Sequence, residues 1–205
     1  MSTRHSPKQV LDALLAANRR FAEGQARHPR QSPRRRAELA QGQTPRATVI
    51  GCADSRVPPE LIFDQGLGDL FVVRVAGNVV DEAVVGSVEY AVTALETGLV
   101  IVLGHADCGA VKVALEGRRH HRFVSFSLSS IATAIQPAVD RARLEANGDS
   151  ARVMELAVRY NALIMAQRLT ERSSILQTLV RTGQVLIVPA VYVLETGLVE
   201  PIDQG

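Results

Sequence analysis

The stretch "LVIVLGHADCGAV", residues 99–111, decides how this chain is read. It opens with a run of apolar, largely β-branched residues of strand length. A strand that is apolar at every position, rather than at alternate ones, must be covered on both faces. Two other runs share this character, "ATVIGC" from Ala47 and "LFVVRV" from Leu70. Helix-length segments separate the three, so the sequence predicts an α/β fold with a mostly parallel central β-sheet flanked by helices. Between the second and third runs, Val84, Val88, Ala91, Val92 and Leu95 fall on one face of a helix from Asp81 to Leu95, with Asp81 as N-cap. The opposite face carries Ala83, Gly86, Ser87, Tyr90 and Ala94. Such small residues let another backbone approach closely, a second subunit included.

Working outward, Ser6-Pro7 and Ser32-Pro33 each pair an N-cap with a proline at the first helical position. Val10, Leu11, Leu14, Leu15 and Phe21 form one apolar stripe, and the polar "EGQARHPRQ" after it reads as a loop. Residues 1–42 are therefore read as an N-terminal helical arm and 43–205 as the α/β core of a single domain spanning 1–205. Downstream, "RRHHR" at 118–122 reads as an exposed charged turn, and two long helical segments follow at Phe126–Glu145 and Arg152–Thr182. The run "VLIVPAVYVLETGLVEPI" then gives a strand, a turn and a short C-terminal edge strand.

A chain of 205 residues with 46% apolar and 21% charged residues suits one globular domain with a buried core. A formal net charge of only +2 gives no basis for nucleic-acid binding, and Arg27, Arg30, Arg34, Arg35 and Arg36 read as a solvated arm. No apolar leader and no membrane-length apolar run is present, so a cytoplasmic protein without membrane contact is expected. Two cysteines in that setting point to thiol or metal chemistry rather than a disulfide framework. Phosphate-cradling glycine motifs are absent.

The chemistry sits where strands end. In "VIGCADSRVPPE", residues 49–60, the first strand stops at Cys52, followed by Asp54 and Arg56 at alternate positions. His105 ends the third strand, and Cys108 lies three residues on. Open α/β sheets bind ligands at the carboxyl ends of their strands, which makes these distant residues neighbours. A Cys₂His set leaves a tetrahedral zinc one open position, and thiolate and imidazole ligands favour zinc over magnesium or calcium. A redox cysteine pair is the competing reading, but redox motifs normally place the thiols as C-x-x-C.

"CADSR" after a strand, with "GHADCGAV" roughly fifty residues later, resembles the β-class carbonic anhydrases. The resemblance runs from Gln43 to about Leu115, with looser agreement outside. It implies one zinc per subunit on Cys52, His105 and Cys108, with Asp54 and Arg56 as a catalytic dyad. It also implies Gln43, Val57, Phe71, Tyr90 and Gly109 around the substrate, as in the plant-like subgroup, whose pocket spans a homodimer interface. Whether dimers pair further into a homotetramer stays open. Another subgroup uses a tryptophan, here Val49, and an arginine, here Arg74, to hold a regulatory bicarbonate; the missing tryptophan predicts no inhibition of that type.

The implied function is zinc-dependent, reversible hydration of carbon dioxide to bicarbonate and a proton, by attack of zinc-bound hydroxide. Two thiolates formally cancel the charge of zinc, so Asp54 is expected to orient the water and Arg56 to keep Asp54 ionised. In a closed form, Asp54 freed from Arg56 would itself become the fourth ligand. The alternatives are a carbonyl sulfide or carbon disulfide hydrolase on the same site, and a non-catalytic zinc-stabilised binding protein.

Overall fold

Burial organises the sheet. Every residue of β1 (Ala47–Gly51) and of β3 (Leu99–His105) is buried, as continuous apolar runs require. β2 (Leu70–Arg74) is only partly buried because it forms an edge. The strand order is β2-β1-β3-β4-β5, where β4 is Leu186–Tyr192 and β5 is Val199–Pro201. The first four strands are mutually parallel and β5 is antiparallel to β4. This computed structural model describes residues 5–116 and 125–203. The "RRHHR" turn expected at 118–122 lies outside them.

The chain leaves β1 toward β2, then crosses back to place β3 on the other flank of β1. The switch of direction leaves a crevice outside the carboxyl ends of β1 and β3. α4 (Glu82–Thr93) makes the crossing, capped by Asp81, whose carboxylate accepts the Val84 N–H at 2.9 Å. α5 (Gly109–Glu116) starts directly after Cys108, while α6 (Phe126–Ala146) and α7 (Ser150–Arg172) pack together, with α7 against β3 and β4. The segment expected as one helix from Arg152 to Thr182 is two. Ser173 interrupts it and caps α8 (Ser174–Arg181), accepting the Leu176 N–H at 3.1 Å while donating to Glu89 Oε1 at 2.6 Å.

The N-terminal segment is more than an arm. α1 (Pro7–Ala22), with its Ser6–Gln9 capping box, buries Val10, Leu11 and Leu14 in the main apolar core. Its buried Asn18 donates to the carbonyls of Ile62 and Gly197 and accepts from the Val199 N–H. Its arginines are largely exposed, as expected, yet the segment is tied down. The buried Asp64 carboxylate accepts the N–H groups of Arg27 and His28 and a bond from Arg20, and Arg30 forks onto Asp69 at 2.7 Å. α2 (Pro33–Leu39) and α3 (Pro59–Ile62) are short helices on this side. Among the described residues, no helix is long and apolar enough to cross a membrane.

Candidate metal centre

Three buried ligand atoms meet in the crevice. Cys52 follows the last residue of β1, His105 ends β3, and Cys108 immediately precedes α5. The left-handed backbone of Asp107, with φ of 57°, turns the chain so that His105 and Cys108 face the same point. The two Sγ atoms are 4.0 Å apart, and all three ligand atoms lie within 4.8 Å of one another. A tetrahedral zinc with bonds of about 2.3 Å to sulfur would set two sulfurs about 3.8 Å apart.

The protonation pattern suits a cation. His105 Nδ1 lies 2.9 Å from the Ala106 carbonyl, which fixes it as the N–H donor and leaves Nε2 with a free lone pair. That Nε2 is buried with no hydrogen-bond partner. Donation from Cys108 lowers the Cys52 thiol strongly, against the opposing effect of burial, with further help from His105 and the backbone N–H groups of Asp54 and Gly77. Cys108 is in turn pushed up, first by that bond to Cys52 and then by burial. Two adjacent buried thiols thus resist joint ionisation unless a positive charge sits between them. An orphaned imidazole nitrogen beside two such sulfurs fits zinc.

Asp54 and Arg56 stand over this set. Arg56 Nε and Nη2 reach the two Asp54 oxygens at 3.0 and 2.7 Å, and the Arg56 backbone N–H adds a third bond at 2.9 Å. This grip holds the Asp54 carboxyl well below the usual carboxylate range, overcoming its partial burial. Asp54 Oδ2 lies 3.9 Å from His105 Nε2, so the ionised carboxylate faces the ligand set while paired with Arg56. Arg74 clamps the loop from below, donating to the carbonyls of Cys52 at 2.9 Å and Asp54 at 2.5 Å. It is thereby committed to the loop backbone, beside Gly51 on β1, while Val49, two residues earlier on that strand, is fully buried.

The five residues expected from the sequence, Cys52, Asp54, Arg56, His105 and Cys108, do lie together, whereas the clamp by Arg74 and the Gly77 N–H, which donates to Cys52 Sγ at 3.3 Å, were not foreseen. Gly77 follows β2 at the carboxyl end of the sheet, and that position was the available signal. Val57, 2% exposed, and Gly109 sit at the same end. Gln43, Phe71 and Tyr90 do not. Phe71 pairs with Thr48, four residues before Cys52, which places it about 13 Å away along the strand. Tyr90, whose ring centroid is 6.0 Å from that of Phe71, is half exposed, and Gln43 precedes β1 altogether.

An α/β sheet whose switch point carries two thiols and an imidazole, with an ionised carboxylate facing the open side, defines a zinc enzyme that activates water. The family model for carbonic anhydrase matches residues 47–199. Carbonic anhydrase 2 of Mycobacterium tuberculosis is 42% identical over 196 residues, covering 94% of this chain and 91% of that protein. Carbonic anhydrase of Mycolicibacterium smegmatis is 43% identical over 195 residues, covering 95% and 93%. The solved Coccomyxa β-carbonic anhydrase, in complex with acetazolamide, superposes with a TM-score of 0.73 at 30% identity, covering 94% of this chain and 86% of that one. The chain belongs to the carbonic anhydrase family, in its β class, and is an enzyme of zinc-dependent carbon dioxide hydration.

Proposed function

We propose that Cys52, His105 and Cys108 hold the zinc, that Asp54 and Arg56 form the catalytic dyad, and that the substrate pocket is completed by a second copy of the chain. The observation that carries this reading is the ionised Asp54 gripped by Arg56 3.9 Å from the unpartnered His105 Nε2. Zinc, when bound, supplies the Lewis acidity that makes water nucleophilic near neutral pH. Asp54 is placed to accept a hydrogen bond from a water at the open position and would aim its lone pair, while Arg56 fixes the direction of Asp54 and keeps it charged. Val57 offers carbon dioxide, which has no charge to grip, an apolar wall.

The second copy follows from where the remaining residues sit. Phe71, near the start of the partly exposed edge strand β2, and Tyr90, against it on α4, lie at the amino end of the sheet, so a pocket containing both ends draws them from a partner. Gln43 of that partner would stabilise charge developing on the substrate oxygen. A homodimer is therefore the minimal active unit. The two buried free thiols suit a reducing compartment, which favours the cytoplasm.

Carbonic anhydrases at 42% and 43% identity favour carbon dioxide over carbonyl sulfide or carbon disulfide, and over a non-catalytic zinc protein. Stopped-flow hydration of carbon dioxide by the zinc-loaded protein, beside Asp54→Asn, tests the assignment. Rapid hydration that collapses in the variant supports it. Equal rates in both proteins would remove Asp54 from the chemistry. Release of Asp54 from Arg56 would let it close the site as a fourth ligand, and zinc X-ray absorption across pH reads that change directly.

A further inference from the structure

One buried chain of hydrogen bonds leads away from the metal centre. Cys52 Sγ accepts the Gly77 N–H at 3.3 Å, and the Gly77 carbonyl accepts Asn161 Nδ2 at 2.8 Å. Asn161 is 1% exposed and belongs to α7, which supplies no metal ligand. Its neighbours along the helix, Ala157, Val158, Ala162 and Met165, are all buried and apolar. Packing alone gives no reason for an amide in such company, and its Oδ1 has no hydrogen-bond partner, a condition that is costly in a core.

Gly77 itself has little freedom to move. It sits in the left-handed region, φ 67° and ψ 19°, within a short 3₁₀ turn, Ala76–Asn78. A Cβ there would meet Ile135 Cδ1 at 2.7 Å and Ala110 Cβ at 2.9 Å, so only glycine fits between β2 and the start of α5. Asn161 also reaches Asn78 Oδ1 at 3.5 Å. The turn is thus pressed from one side by packing and held from the other by a single amide.

An N–H directed at a thiolate withdraws charge from the sulfur and weakens its donation to a bound metal. This matters more here than at a three-histidine site, because two thiolates already formally cancel the charge of the ion. We infer that Asn161 is a positioning residue for the metal centre: by holding Gly77, it keeps that N–H on Cys52 and sets how strongly Cys52 donates to zinc. The inference rests on the zinc assignment above.

Cobalt(II) substitution provides a readout independent of activity, since thiolate-to-cobalt charge-transfer bands report sulfur donation. In Asn161→Leu these bands should move to lower energy, because Cys52 then donates more strongly. Leu169→Ala is the control for lost stability, being fully buried on the same helix, eight residues beyond Asn161. It should lower the melting temperature and leave the bands in place. Unmoved bands in folded Asn161→Leu would overturn the inference. So would equal shifts in both variants. Should Asn161→Leu fail to fold, Asn161→Ala carries the same test. A parent protein without thiolate bands would instead overturn the zinc assignment, and the inference with it.

Discussion

The two ends of the central sheet are built on different terms. At the carboxyl end the chain closes its own chemistry. Three ligands, the Arg56 grip on Asp54, the Arg74 clamp and the Gly77 N–H all come from within 60 residues of one another, and the metal ligands are buried. At the amino end, Phe71 and Tyr90 touch each other, yet Tyr90 is 50% exposed beside an unpaired strand edge. The difference is what the proposed function needs: one chain supplies the whole ligand set, whereas the proposed substrate pocket draws on a pair.

The strongest way to break the comparison is at the closed end. His105→Ala should abolish zinc retention and lower hydration on the order of 10³-fold, measured by metal analysis and stopped flow. Zinc retained in full would mean that the cluster is not the metal site. Asp54→Asn should come next, keeping zinc while reducing kcat/KM about 10²-fold. Tyr90→Asp probes the open end. It should turn dimers into zinc-loaded monomers in analytical ultracentrifugation, with roughly tenfold or greater loss of activity, because a buried unpaired charge at an interface disfavours association. Fully active monomers would dissolve the distinction between the two ends.

The smallest effect is expected in the N-terminal segment, away from both ends. Burial alone would raise Asp64, but the N–H groups of Arg27 and His28 and the Arg20 guanidinium outweigh it and lower its pKa. A carboxylate lowered by folding stabilises the protein above its unfolded pKa of about 4, and that contribution fades as pH falls through the lowered value. Asp64→Asn should therefore cost about 2 kcal/mol at neutral pH, read as ~6 °C in Tm. The gap from the parent should narrow below about pH 4. A gap independent of pH would show that packing, and not the charge, holds the segment down. Activity should change little.

Much of the closed end could be read directly from the sequence. A strand buried on both faces must be apolar throughout, so β1 and β3 announced themselves, and soft ligands at their carboxyl ends followed. What escaped notice works through backbone atoms. Arg74 grips carbonyls and Gly77 offers an N–H, and neither demand leaves a mark on the residues it serves. Asn18 joins the core only because the segments at 62 and 197–199 fold back beside it, a meeting no local pattern encodes. The break before α8 was similarly hidden, because Ser173 interrupts a sequence that is helical on both sides and serves as a cap only in its tertiary setting.

The sheet's two borders have a consequence for how large this molecule can grow. β5 is three residues long and ends in Pro201, which has no N–H to offer an incoming strand. β2 on the opposite border is longer and free of proline. A sheet with one receptive border and one blunted border can join a like sheet once, around a twofold axis, and the union consumes the receptive borders of both. In the homodimer proposed above, extension by strand pairing would then stop, so the border that admits a partner would also keep the pair from polymerising.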